Sequence, residues 1–166
     1  SKAARDGAGI LDASTLGKID IQGTDASEFL NRVYTNAWSK LAIGKCRYGL
    51  MLNEDGMVYD DGVTTRLDEN HYIMTTTTGG AATVLGKLED YLQTEWPELD
   101  VYLTSVTDHF ATISVCGPNS KKIVKKVIPD LDLSDEQFPH MSFKNAKIDN
   151  IKCRVMRISF TGEQSY

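Results

Sequence analysis

A chain of 166 residues can bury a core as one domain or as two small subdomains, and 25 % charged and 41 % hydrophobic residues are ordinary globular values. The net charge of −5 offers no footprint for a nucleic-acid backbone, and the one basic cluster, Lys121, Lys122, Lys125 and Lys126, falls at helical spacing and reads as a solvated face. No apolar run approaches the length of a bilayer and no signal-peptide core is present, so a cytoplasmic protein without a membrane partner is expected. Cys46, Cys116 and Cys153 are odd in number and form no C-x-x-C pair, which reads as reduced thiols. The three histidines form no H-x-x-x-H pattern, so no catalytic metal is expected.

In chain order, residues 1–8 are small and polar, and 9–14 lead into an alternating strand at Lys18-Ile19-Asp20-Ile21. Gly23-Thr24-Asp25 reads as a turn and helix cap, and 26–34 carry Phe29, Leu30 and Val33 as one helical stripe. Residues 50–67 read as a hairpin: Leu50, Met51 and Leu52, a turn at Asn53-Glu54-Asp55-Gly56, then a return strand that contains Asp60 and Asp61. Side chains alternate across a strand, so these two carboxylates must face opposite sides. A carboxylate on a pocket-facing side suits a general base or an amine-binding group; a solvated strand end is the other reading.

A β-branched strand follows at 71–78, dissolving into Gly79-Gly80. The spacing of Val84, Leu85, Leu88, Tyr91 and Leu92 predicts a helix over 81–94, which Trp96-Pro97 breaks. Short strands are predicted at 101–103 and 111–115, a loop over 129–150, and a long strand at 151–160 before a turn at Thr161-Gly162-Glu163. A chain that stops on a strand and turn reads as a fragment, with 159–166 mobile or borrowed by a neighbouring chain.

One internal repeat is visible. Ile19-x-Ile21-x-Gly23-x-Asp25-Ala26, with its helix of Phe29, Leu30 and Val33, recurs as Ile113-x-Val115-x-Gly117-x-Asn119-Ser120 with Ile123, Val124 and Val127, at a constant offset of 94 residues. This predicts an α+β fold of two related β-α subdomains, over 9–105 and 106–166, with Ile113 and Val115 facing the interior as Ile19 and Ile21 do.

Gly9-Ile10-Leu11-Asp12-Ala13-Ser14, Leu50-Met51-Leu52-Asn53-Glu54-x-Gly56 with Asp60-Asp61, and Phe160-Thr161-Gly162-Glu163 resemble the folate-binding domain of the glycine-cleavage T-protein (aminomethyltransferase) family. The stretches 17–23, 29–38 and 94–100 and the four threonines 75–78 resemble its sarcosine oxidase α-subunit branch, and the likeness runs from about Arg5 to Tyr166. It implies the folate-binding fold with its C-terminal part missing. It also implies capture of the methyl-derived one-carbon unit of sarcosine on tetrahydrofolate, giving 5,10-methylenetetrahydrofolate and glycine. Flavin and NAD would sit on other parts of the complex, the flavin on a partner subunit. Residue by residue, the resemblance makes Asp61 the catalytic aspartate and Asp60 structural. Glu163, within Thr161-Gly162-Glu163, would bind the pterin's amino-pyrimidine edge, where a carboxylate accepts two parallel N–H bonds. Leu16 would pack on the pterin, Tyr48 would line its pocket, and Thr76 stands where many relatives carry Asn. A non-catalytic folate-binding or subunit-interface module is the alternative, and a sarcosine or dimethylglycine dehydrogenase is a rival within the enzyme class.

Overall fold

A computed structural model describes residues 2–160 and 162–166. The chain opens with a short helix, α1 (Lys2–Asp6), and a strand, β1 (Gly9–Asp12). Two compact units follow from the contacts: residues 14–110 form one, while the segment through residue 13 joins 111–166 in the other. Against the expected spans 9–105 and 106–166, β1 therefore pairs within the unit that holds 111–166, and residues 106–110 stay with 14–105.

The unit of 14–110 contains β2 (Gly17–Gln22), α2 (Ala26–Val33), β3 (Cys46–Leu52), β4 (Val58–Asp68), β5 (His71–Thr76), α3 (Ala81–Asp90) and β6 (Tyr102–Ser105). Its strands form one antiparallel sheet in the order β3-β4-β5-β2-β6. Alternation in β2 turns Ile19 and Ile21 onto the buried face, where Phe29 and Leu30 of α2 and Val84 and Leu88 of α3 cover them. Trp38, Met51, Tyr72 and Met74 complete that core. Each such side chain contributes about 1.5–3 kcal/mol through burial. The predicted helix over 81–94 ends earlier than its stripe suggests: α3 stops at Asp90, and Tyr91–Glu95 continue as a wider π turn.

The other unit adds β7 (Ile113–Cys116), α4 (Ser120–Val127), β8 (Ser142–Ile148) and β9 (Ile151–Arg157). β7 pairs antiparallel with β1, and β8 with β9 as a hairpin. The loop expected over 129–150 thus holds strand β8, whose Ser142-Phe143-Lys144-Asn145 lacks an apolar alternation and gave no sequence signal. Residues 164–166 are not loose either. Tyr166 exchanges backbone bonds with Val115 (2.8 and 3.0 Å) and Gly117 N–H donates to Gln164 O (2.8 Å), so this segment lines the free edge of β7. Phe138 and Tyr166 pack with Val124, Ile128, Leu131 and Leu133 into a second core.

The repeat is present in the backbone. α2 and α4 each span eight residues, Gly23 and Gly117 both take positive φ (136° and 106°), and Ala26 and Ser120 both donate back to those glycines' carbonyls. A positive φ at the turn is why each copy needs glycine there. Two details depart from expectation. Neither Asp25 nor Asn119 caps its helix through the side chain; the Asp25 carboxylate instead accepts the Asp100 backbone N–H at 2.8 Å. Ile113 is 62 % exposed, because the second core begins only at Val115.

Candidate functional site

The β3–β4 register sets Met51 opposite Asp60 and Leu50 opposite Asp61. Pleating then sends the two aspartates to different surroundings. Asp60, 5 % exposed, shares the buried face with Met51. Its carboxylate accepts the Thr77 backbone N–H (3.2 Å) and hydroxyl (2.6 Å), and Gly80 N–H donates to that same hydroxyl oxygen at 3.1 Å. Asp60 thereby pins the turn that starts α3, which agrees with a structural role.

Asp61 lies half-buried on the opposite, open face, where the Tyr48 hydroxyl donates to its Oδ2 at 2.6 Å. Tyr48 is 48 % exposed. The hydrogen bond to Asp61, then burial and the Asp61 charge, raise the Tyr48 pKa, since a phenolate beside a carboxylate is disfavoured. The pair is therefore a carboxylate held by a phenol that keeps its proton. The segment before β3 frames it: Asn36 donates to Tyr48 O and Arg47 to Ala37 O, both at 2.5 Å, and Thr35 N–H donates to Leu50 O at 3.0 Å. Behind the hairpin, the Tyr34 hydroxyl is buried without a hydrogen-bond partner. Burial first, then the charges of Asp60 and Asp61, push its pKa well up.

Leu16 is half-buried in the loop before β2. Lys18, buried at 5 % exposure, donates its ammonium to Ser14 O (2.9 Å) and Leu16 O (3.0 Å) and so holds that loop's backbone. Thr15 and Thr78 hydroxyls meet at 3.2 Å, which brings the Leu16 loop beside the turn that Asp60 pins. Thr76 is 2 % exposed and gives its hydroxyl to Thr77 O at 2.8 Å, so that hydroxyl is committed to the backbone. The sequence reading missed Lys18, Asn36 and Arg47. Alternation hid Lys18: the strand that turns Ile19 and Ile21 inward assigns it to the opposite, polar face, and its burial accompanies the bonds to the 14–16 loop carbonyls.

Glu163 and Gly162 belong to the other unit, and Thr161 lies outside the described residues. Gly162 is exposed with φ 92°, its N–H donating to Ser159 Oγ at 2.8 Å. Glu163 lines a cleft of about 710 Å³ with Lys121, Asp135, His140, Arg157 and Ser159. Arg157 there pairs with Asp135 at 2.7 Å and donates to Phe138 O at 2.8 Å. The hairpin brings Asp61 and Tyr48 together within one unit, and Glu163 lines a cleft of the other. Among the described residues no His, Cys, Asp and Glu cluster could hold a metal, and no helix is long and apolar enough to cross a membrane.

The family model described as the GCVT N-terminal domain matches residues 1–166. The chain belongs to this family. GCVT-domain relatives include the sarcosine oxidase subunit alpha of Corynebacterium sp. (strain P-1), 56 % identical over 99 % of this chain and 17 % of that protein. The same subunit of Rhizobium meliloti (strain 1021) is 51 % identical over 98 % of this chain and 16 % of its own length. The aminomethyltransferase of Listeria monocytogenes serotype 4a (strain HCC23) is 31 % identical over 99 % of this chain and 44 % of its own. The chain thus spans only a minor part of these relatives. Among solved structures, the glycine cleavage system aminomethyltransferase T of Bartonella henselae shares the fold with a TM-score of 0.83 at 24 % identity, covering 99 % of this chain and 42 % of that one. These findings bear out the α+β aminomethyltransferase fold and the sarcosine-oxidase likeness.

Proposed function

We propose that this GCVT domain performs the folate side of a one-carbon transfer in a sarcosine oxidase-type protein, capturing the methyl-derived unit of sarcosine on tetrahydrofolate. The observation that carries the reading is the Asp61–Tyr48 pair: a carboxylate on an open sheet face, oriented at 2.6 Å by a hydroxyl that keeps its proton. The donor set fits the ligand, since carboxylates suit the N–H groups of a pterin and its amines. Tetrahydrofolate, when bound, supplies the amine nitrogens that accept the one-carbon unit. Asp61 would take up or return the proton that such an amine exchanges, at the carboxylate oxygen the Tyr48 hydroxyl leaves free. Tyr48 fixes the rotamer of Asp61, and Asp60 holds strand β4 and the α3 turn in register behind it. Glu163 would receive the amino-pyrimidine edge, Leu16 would offer an apolar surface to the ring, and Thr76 and Gly162 would shape the approach through backbone. The domains of this reading are the two related subdomains, with flavin and NAD carried by other parts of the assembly. A cytoplasmic location accords with the free cysteines.

Isothermal titration of tetrahydrofolate into the full-length protein tests the reading. Wild-type protein is expected to bind, and Glu163→Ala to weaken binding by about tenfold or more through loss of a paired charge-assisted bond. Absence of binding in the wild type contradicts the reading.

A further inference from the structure

The two copies of the strand–turn–helix unit share a backbone and differ in surface charge. On α2, Glu28 in the first turn and Arg32 in the last are joined at 3.0 Å. Acid near the N-terminus and base near the C-terminus both match the helix dipole, and acid-before-base is the favourable order at i,i+4. The residues 94 positions on are Lys122 and Lys126. With Lys121 and Lys125 they give α4 four lysines and no acid.

Lys125 and Lys126 in the last turn suit the dipole, but the rest of the pattern works against the helix. Lys121 and Lys122 lie at its N-terminal end, where positive charge opposes the dipole, and Lys121–Lys125 and Lys122–Lys126 are like-charge pairs at i,i+4. Among the described residues no carboxylate lies within ion-pair distance of any of the four; Asp132 acts on Lys125 at longer range, and Lys121 shares the larger cleft with Asp135 and Glu163. Lys125 donates to Leu131 O at 3.0 Å and has a local use; Lys121 and Lys122 have no such bond. The lysine stems, with Pro118 and Gln164, wall a cleft of about 450 Å³. A charge pattern that opposes its own helix with little local compensation points to a functional surface.

We infer that this face of α4 docks an acidic surface of another protein chain. The four lysines stand over about 7.5 Å of helix axis and their long stems spread the ammoniums further, which several carboxylates of a protein surface match and one small anion does not. Over the residues of this domain a net charge of −5 disfavours an extended polyanion such as nucleic acid or an anionic bilayer, whereas a local acidic patch feels mainly the charges within a Debye length of about 8 Å. Lysine stems and Pro118 add apolar contact beneath the charges. The inference is independent of the folate reading.

The test is Lys122→Glu in the full-length protein with the chains it assembles with, which restores on α4 the charge order of α2. The melting temperature is expected to hold or rise, while association, read by sedimentation velocity over a dilution series, weakens about tenfold or more near physiological salt. Wild-type association is expected to weaken steeply with added NaCl and the variant's far less. Lys122→Gln, which adds no new charge, is expected to give the same direction with a smaller loss. Unchanged association and salt response in both variants overturn the inference, and so does a wild-type protein that sediments as a lone monomer. Loss of binding to a single-stranded oligonucleotide or to phosphatidylserine vesicles with assembly intact overturns it as well.

Discussion

The two faces of the β3–β4 hairpin carry neighbouring aspartates in different chemical situations. On the buried face Asp60 is fully engaged by the Thr77 N–H and hydroxyl and holds a turn. On the open face Asp61 has one oriented partner, Tyr48, and room for a further one. The same residue type yields a strut and a candidate site, and the difference comes from pleating and from what covers each face. Gly49 on the buried side leaves space that Trp38 and Tyr34 fill, while no core side chain covers Tyr48. The proposed function thus rests on the half-buried, incompletely satisfied carboxylate rather than on the most buried one.

Substitutions on each face sharpen this contrast. The largest stability effect is expected for Asp60→Ala, which strands two donors of Thr77; chemical denaturation should show a loss of about 3 kcal/mol. A loss below about 1 kcal/mol would mean that Asp60 is not the strut described. Tyr34→Phe comes next and acts through pH. Its folded pKa lies above the value of about 10 for free tyrosine, so the stability it supports is complete below that pH. Above it the unfolded chain ionises first and stability falls by about 1.4 kcal/mol per pH unit. Tyr34→Phe should flatten that alkaline slope in urea titrations and leave neutral-pH stability equal or slightly higher, since its hydroxyl has no partner. The smallest effect belongs to the open face: Tyr48→Phe should lower stability by less than about 1 kcal/mol, because its hydrogen bond is exposed to water.

Much of this was legible in the residues. Alternation alone separated Asp60 from Asp61, and the Gly-Asx-helix grammar announced both copies of the repeat with helices of equal length. The sequence could not say which face of β4 was open, since that depends on Tyr34 and Trp38 folding under Gly49 from a separate segment. The pairing of β1 with β7 joins residues about a hundred positions apart, and no local pattern encodes it. Strand β8 was missed because its polar residues alternate with nothing apolar enough to mark a face. Ile113 misled for the opposite reason: repeat symmetry predicts burial, and the second core starts one pleat later.

Asp61, and not its neighbour, is the aspartate proposed to serve the one-carbon step. The direct measurement is the partition of product between formaldehyde and methylenetetrahydrofolate in the full-length protein, with sarcosine oxidation followed in parallel. Asp61→Ala should slow one-carbon capture by about a hundred- to ten-thousandfold while oxidation stays nearly unchanged, so formaldehyde rises as methylenetetrahydrofolate falls. Asp60→Ala, compared on folded protein, should keep the wild-type partition. Equal partitions in the two variants would contradict the account.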